Sequence, residues 1–304
     1  MEKQSLISSI IKTICYAEVF SYSLTFSELH KYLIHHKKVS KQELLLECRL
    51  GKNIIVDKDG YVVFSNSYNL IKIRQQRLQE SRRKYAKALW VSQLLSYIPT
   101  IKLIGISGSL SMFNSKKEDD IDLFFVTSRN TLWITRMLVL CLLILFKEKR
   151  ERYHNLSQDK ICPNMFLSEH NMSIPHSKRS LYAAHEVSQL KIIHSKDDTD
   201  KKFLYVNKWA LAYLPHAFRV KKVRQQKKPY MFLFFPFELA AFLLQYVYMR
   251  RRITNETVGL SVAMFHPRKS RSIIQDLYNL KVKYRTIKYL EQKIQKKPTS
   301  LQLN

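Results

Sequence analysis

Apolar residues recur at helical spacing over residues 4 to 18, where Leu6, Ile7, Ile10, Ile11 and Ile14 fall on one face. Thr25 with Glu28 three residues later, and Ser40 with Glu43, each have the form of a capping box. They predict two further helix starts, the second helix running to about Leu50. Two β-like runs follow, Asn53-Ile-Ile-Val-Asp and Gly60-Tyr-Val-Val-Phe, joined by Asp57-Lys58-Asp59-Gly60. An Asp-Gly pair between such runs predicts a hairpin. From Ser67 to about Tyr97 the pattern is one long helix, basic through Arg77, Arg82, Arg83, Lys84 and Lys87. Its first half reads as a solvated face; its second half, with Leu89, Trp90 and Leu94, reads as packing. Pro99 ends it.

A β-branched run from Ile101 to Ile106 then predicts a buried strand that leads into Ser107-Gly108-Ser109. Ten residues after Ser109 the chain reads Asp120-Ile121-Asp122, opening a second apolar strand to Val126. A helix over about 131–146 and a strand candidate over Lys160 to Leu167 come next. From residue 178 onward the pattern is mostly helical, with apolar stretches near 206–214 and 233–249 and a basic amphipathic stretch at 270–296. This gives an α+β fold class and four segments: 1–66, 67–98 as a connecting helix, 99–177 as a mixed-sheet core, and 178–304 as a C-terminal helical region.

Composition narrows the picture. A chain of 304 residues with 46% hydrophobic and 25% charged residues is globular rather than disordered. Its 5 glycines argue against a Gly-rich dinucleotide loop. The net charge of +28, from 52 basic and 24 acidic residues, suits phosphates, nucleic acid or an anionic membrane surface as partners. An AT-rich genome would produce the same lysine enrichment with no partner at all. Cys15, Cys48, Cys141 and Cys162 are too widely spaced for a zinc site or a disulfide scaffold and read as reduced thiols. With no signal peptide at the N-terminus, the expected location is the cytoplasm, a membrane-associated one remaining open. The run from Leu132 to Phe146 is about 15 residues, short of the roughly 20 needed to span. Tyr230 to Met249 is long enough but carries Glu238, costly in hydrocarbon. It is expected as a buried core helix, with a membrane-associated helix as the alternative.

The chemistry is concentrated at residues 107–122. A strand turning through Gly108 and Ser109 into a helix presents N–H groups and a hydroxyl to phosphate. Side chains two apart on a strand share a face, about 6.5 Å apart at Cα. Asp120 and Asp122 so placed can hold magnesium, which prefers oxygen ligands. The bland alternative is a turn in which Asp119 and Asp120 cap and Asp122 faces water.

Ser107-Gly108-Ser109, the ten-residue gap and Asp120-Ile121-Asp122-Leu123 resemble the signature of the nucleotidyltransferase superfamily, which includes polymerase beta. The resemblance spans about 25 residues. It implies that Gly108 and Ser109 contact the phosphates of a nucleoside triphosphate (NTP), and that Asp120 and Asp122 bind Mg2+ as two ions. The implied reaction transfers a nucleoside monophosphate to an acceptor hydroxyl of unknown identity. The superfamily's third carboxylate has no counterpart: the best-placed position is Asn164, with Asp159 and Glu169 at the ends of that run. Arg129 and Arg136 are candidates to reach the triphosphate, and His185 and His266 are more remote ones. The first 66 residues resemble a winged helix in architecture. A catalytically inactive member, acting as a nucleic-acid or anionic membrane-surface binding module, is the alternative function.

Overall fold

The computed structural model describes residues 5–51, 53–150, 158–223, 234–250, 257–264 and 268–294. Residues 230–233, Arg251, Arg252 and the Phe265-His266-Pro267 segment lie outside these. The chain forms two compact units: 1–75 with 211–218 and 270–304, and 76–210 with 219–269. The division cuts across the segments expected from the sequence, because the stretch after 178 is shared between both units.

In the first unit, α1 (Leu6–Val19) buries Ile10, Ile11, Ile14 and Cys15. Strand β1 (Leu24–Thr25) leads into α2 (Phe26–Lys31), and α3 (Lys41–Leu50) follows. Both capping boxes form: Thr25 with Glu28, and Ser40 with Glu43, each pair exchanging side-chain and backbone bonds. Strands β2 (Ile54–Val56) and β3 (Tyr61–Phe64) form the expected hairpin, turning at Gly60 with φ +79°. Strand β1 adds to β3, so the sheet has the order β1-β3-β2, all antiparallel. The start of α4 (Asn69–Leu95) is fixed to this unit by Arg74, whose guanidinium pairs with Glu28 at 2.6 Å and lies 4.4 Å over the Tyr22 ring. From α10 (Arg268–Ile294), Arg285 pairs with the buried Glu18 at 2.9 Å.

The second unit is a six-stranded mixed sheet of order β7-β4-β5-β6-β9-β8. Strands β4 (Ile101–Ile106) and β5 (Ile121–Thr127) are antiparallel, bridged by the short helix α5 (Gly108–Ser111). Helix α6 (Leu132–Leu145) crosses over to β6 (Ile161–Ser168), which runs parallel to β5; a parallel pair requires such a crossover. Next come α7 (Leu181–Gln189), β7 (Lys191–Ser195) and α8 (Thr199–Val206), then α9 (Phe235–Arg250), β8 (Thr257–Gly259) and β9 (Val262–Met264). The core joins Val91 and Leu95 of α4 and Trp133 of α6 to Ile104, Leu123, Phe125 and Phe166 of the sheet. On the other face, Leu190 packs over Gly105 and Phe203 edges onto Phe124. The class is therefore α+β.

Three expectations are corrected. The C-terminal stretch supplies three strands as well as helices: β7 and β8 at the sheet edges and β9 between β6 and β8, each too short to display a clear two-residue period. The second half of α4 packs only in part: Lys84, Val91 and Leu95 are completely buried, while Leu89 and Trp90, expected to pack, are 41% and 51% exposed. Helix α9 is not a buried core helix: among its residues Glu238, Gln245 and Met249 are buried, while Phe237, Leu244 and Val247 are exposed. Among the described residues no helix is long and apolar enough to cross a membrane.

Candidate metal centre

Strand β4 ends where Ser107 donates its N–H to the Asp122 carbonyl at 3.0 Å. The pairing of Ile106 with Leu123 continues through Ser107 and Asp122, so those side chains share the sheet face opposite the main core. Gly108 then takes φ +61°, a left-handed conformation that glycine adopts without strain. A Cβ there would lie 2.6 Å from Asp122 Oδ2. Gly108 is thus required twice over, by its torsion and by the carboxylate pressed against it.

The loop that returns to β5 is held from both sides. Ser109 Oγ donates to Asp119 Oδ2 at 3.0 Å and lies 3.1 Å from Ser115 Oγ. The Lys116 N–H reaches the same Asp119 oxygen at 2.9 Å. From α4, residues 77, 81 and 84 fall on one helical face. Arg77 Nη1 donates to Asn114 Oδ1 at 3.0 Å, and Ser81 Oγ accepts the Ser115 N–H at 3.0 Å. Lys84 Nζ donates to the Lys117 carbonyl at 3.0 Å and to the Asp119 carbonyl, and pairs with Asp159 at 2.9 Å. A polar stripe on a long helix therefore sets the conformation that delivers Asp120.

Asp120, Asp122 and Cys162 converge, their oxygen and sulfur atoms all within 4.8 Å of one another and partly exposed. Cys162 reaches the group through register, since it pairs with Asp122 across the parallel β5–β6 ladder. Asn164, two residues on and 4% exposed, donates from Nδ2 to Asp122 Oδ1 at 3.0 Å. Arg150 Nη1 pairs with Asp120 Oδ2 at 2.6 Å, and its charge also acts on the Cys162 thiol. Burial pushes the Cys162 thiol well above its ordinary range, and both carboxylates push it further against the opposing Arg150 charge. Without another cation the thiol keeps its proton.

No protein-family model, curated protein or solved structure matches this chain. Ligand atoms around one small divalent cation lie about 3 Å apart. Modest rotation of the two carboxylates, which lie within 4.8 Å of each other, closes that gap with the oxygen ligands magnesium prefers, and Asn164 fixes Asp122 from behind, while the protonated Cys162 thiol stands beside them. No third carboxylate joins the group among the described residues.

The other expected participants stand elsewhere. Gly108, Ser109, Asp120, Asp122 and Asn164 are brought together; Arg129 is not. It follows Thr127 at the far end of β5, roughly 20 Å along the strand from Asp122, with its N–H on Glu169. Arg136 is half-buried between Trp133 and Gln245, and desolvation lowers its pKa to about 10. Asp159 is committed to Arg83 and Lys84, and Glu169 sits at the far end of β6. His185 is buried on α7, its pKa driven down to about 3 by desolvation. Sequence reading missed Cys162, Arg150 and Lys191. The last pairs with Ile106 beside the Gly108 turn and lies 4.1 Å over the Phe113 ring. Only the β5–β6 register, which the local pattern does not contain, would have pointed to Cys162.

Proposed function

We propose that the chain is a divalent-metal-dependent nucleotidyltransferase that moves a nucleoside monophosphate from an NTP to an acceptor hydroxyl. The observation that carries this reading is the left-handed Gly108 turn set against Asp122, with Asp120 and Cys162 in the same cluster. Asp120 and Asp122 would hold Mg2+ or a similar ion, which supplies charge neutralisation at the phosphates when bound. The chain's own contributions are positional. Asn164 orients Asp122, the absence of a Cβ at 108 leaves room for its carboxylate, and Ser109 ties down the loop carrying Asp120. Arg150 must leave Asp120 as a cation arrives, and its guanidinium is then free to meet a phosphate. In the reaction the acceptor oxygen bonds to the α-phosphorus, the α–β anhydride breaks, pyrophosphate departs and one proton is released. Asn164 cannot take that proton, so it passes to a carboxylate or to water.

In the first unit, three helices with a three-stranded sheet support the winged-helix reading. Helix α3 carries Glu43 and Glu47 and exposes Leu46 and Leu50, which suits contact with a protein better than with nucleic acid. A second functional reading, a nucleotide-binding module without catalysis, is favoured by Asn164 standing where a third carboxylate is expected. Incubation with each of four α-labelled NTPs, divalent metal and candidate acceptors separates the two. Label transfer that falls at least 100-fold in Asp122→Asn supports the enzyme. Metal-dependent NTP binding with no transfer supports the module, and neither activity rejects both.

A further inference from the structure

Helix α9 turns Glu238 and Gln245 inward beside Ala241, Phe242 and Met249, and leaves large apolar side chains outside. Glu238 is 2% exposed and Gln245 8%, whereas Phe237 and Leu244 are each 69% exposed. A helix on a water-facing surface has the reverse arrangement. The buried polar groups bind α9 to α6. Glu238 accepts the N–H groups of Trp133 at 2.8 Å and Ile134 at 3.1 Å, capping the start of α6. Burial raises the Glu238 pKa even though these N–H groups oppose the shift. Gln245 donates to the Trp133 carbonyl at 2.8 Å and accepts from Arg136 at 2.5 Å. Helix α6 turns Leu138, Ile144 and Leu145 outward, the last 73% exposed. The apolar surface continues onto α4, where the exposed Trp90 meets Phe146 edge-on at 6.4 Å.

Helix pairs joined by polar contacts and apolar on the outside are the pattern of a lipid environment. The pair is too short to cross one: 14 and 16 residues reach about 21 and 24 Å, against roughly 30 Å of hydrocarbon. Charge selects the occupant. The chain carries +28, and exposed Lys147 and Arg250 close the ends of α6 and α9. A second copy would carry the same net charge of +28, whereas an anionic bilayer surface is complementary to it. Independently of any nucleotidyl transfer, we infer that the α6–α9 face docks in the plane of an anionic lipid bilayer, with Phe237, Leu244 and Leu145 entering the acyl boundary.

Sedimentation of the full chain with vesicles tests this directly. The expected result is binding about tenfold stronger to vesicles with about 30% phosphatidylglycerol than to phosphatidylcholine alone. The double variant Phe237→Glu, Leu244→Glu changes only exposed positions. It is expected to bind anionic vesicles at least tenfold more weakly while keeping the wild-type circular dichroism and melting temperature. Wild-type protein left in the supernatant with both vesicles overturns the inference. So does a double variant that binds like wild type, which would place the contact elsewhere. A wild-type dimer that becomes a monomer in the double variant, without vesicle binding, would assign the face to a second copy.

Discussion

A methyl group at position 108 would meet Asp122 Oδ2 at 2.6 Å, on a backbone already at φ +61°. Both penalties fall on the residue that the candidate centre is built around. Gly108→Ala should therefore cost about 1–2 kcal/mol from the torsion alone. It should also displace the Asp122 carboxylate, weakening divalent-metal binding severalfold. Thermal unfolding and metal titration of the same variant check both parts; unchanged values would mean that the turn is more plastic than its contacts indicate. Gly60 makes the useful comparison: its φ is +79°, but nothing lies within 4 Å of a Cβ there. Substitution at 60 should cost the torsion alone and leave metal binding intact. Cys162 raises a different issue at this scale. Its protonated thiol is held there by burial and two carboxylates, so an ion that claims the sulfur must first displace that proton.

Helix α4 shows how an element distant in sequence shapes a site it does not enter. Arg77, Ser81 and Lys84 hold Asn114, Ser115, Lys117 and Asp119, and this fixes the loop before Asp120. Lys84→Met should strip a fully buried ammonium from two carbonyls and from Asp159, which keeps Arg83, at about 1–3 kcal/mol. Urea unfolding measures the loss; a cost below 1 kcal/mol would show that water replaces the ammonium. The helix itself was legible in the sequence, and so were both capping boxes, the hairpin, strands β4 and β5, and the nearness of Gly108 to Asp122. These depend on local periods and turn chemistry. The inward face of α4 was not legible, because a lysine in a basic helix looks solvated until the loop it serves is known. Cys162 depended on strand register, Arg150 on where the stretch after α6 is carried, and α9 on which of its faces the fold buries. Long-range pairing decides each of these, and no local pattern reports it.

Over the whole molecule, each compact unit has its own acid-sensitive ion pair. In the first, burial pushes the Glu28 carboxyl upward, but Arg74, the Thr25 N–H and Tyr22 outweigh it and leave the pKa below 4.5. In the second, burial is likewise outweighed at Asp159 by Arg83 and Lys84, leaving it below 3.8. A carboxyl depressed in the folded state stabilises above its unfolded pKa, and that contribution disappears as pH falls towards its folded value. Glu28→Gln should thus be less stable than wild type at pH 7, with the difference shrinking below about pH 4.5. A difference that stays constant from pH 7 to pH 3 would deny Glu28 this role. The molecule also joins a charge of +28 to a small acidic cluster, and the nucleotidyltransferase reading depends on that cluster holding a cation. Counting bound Mn2+ by electron paramagnetic resonance, in wild type and in Asp120→Asn, Asp122→Asn, tests this most directly. One Mn2+ per wild-type chain and none in the double variant is the expected outcome. An equal number bound by both, or none bound by either, would contradict it.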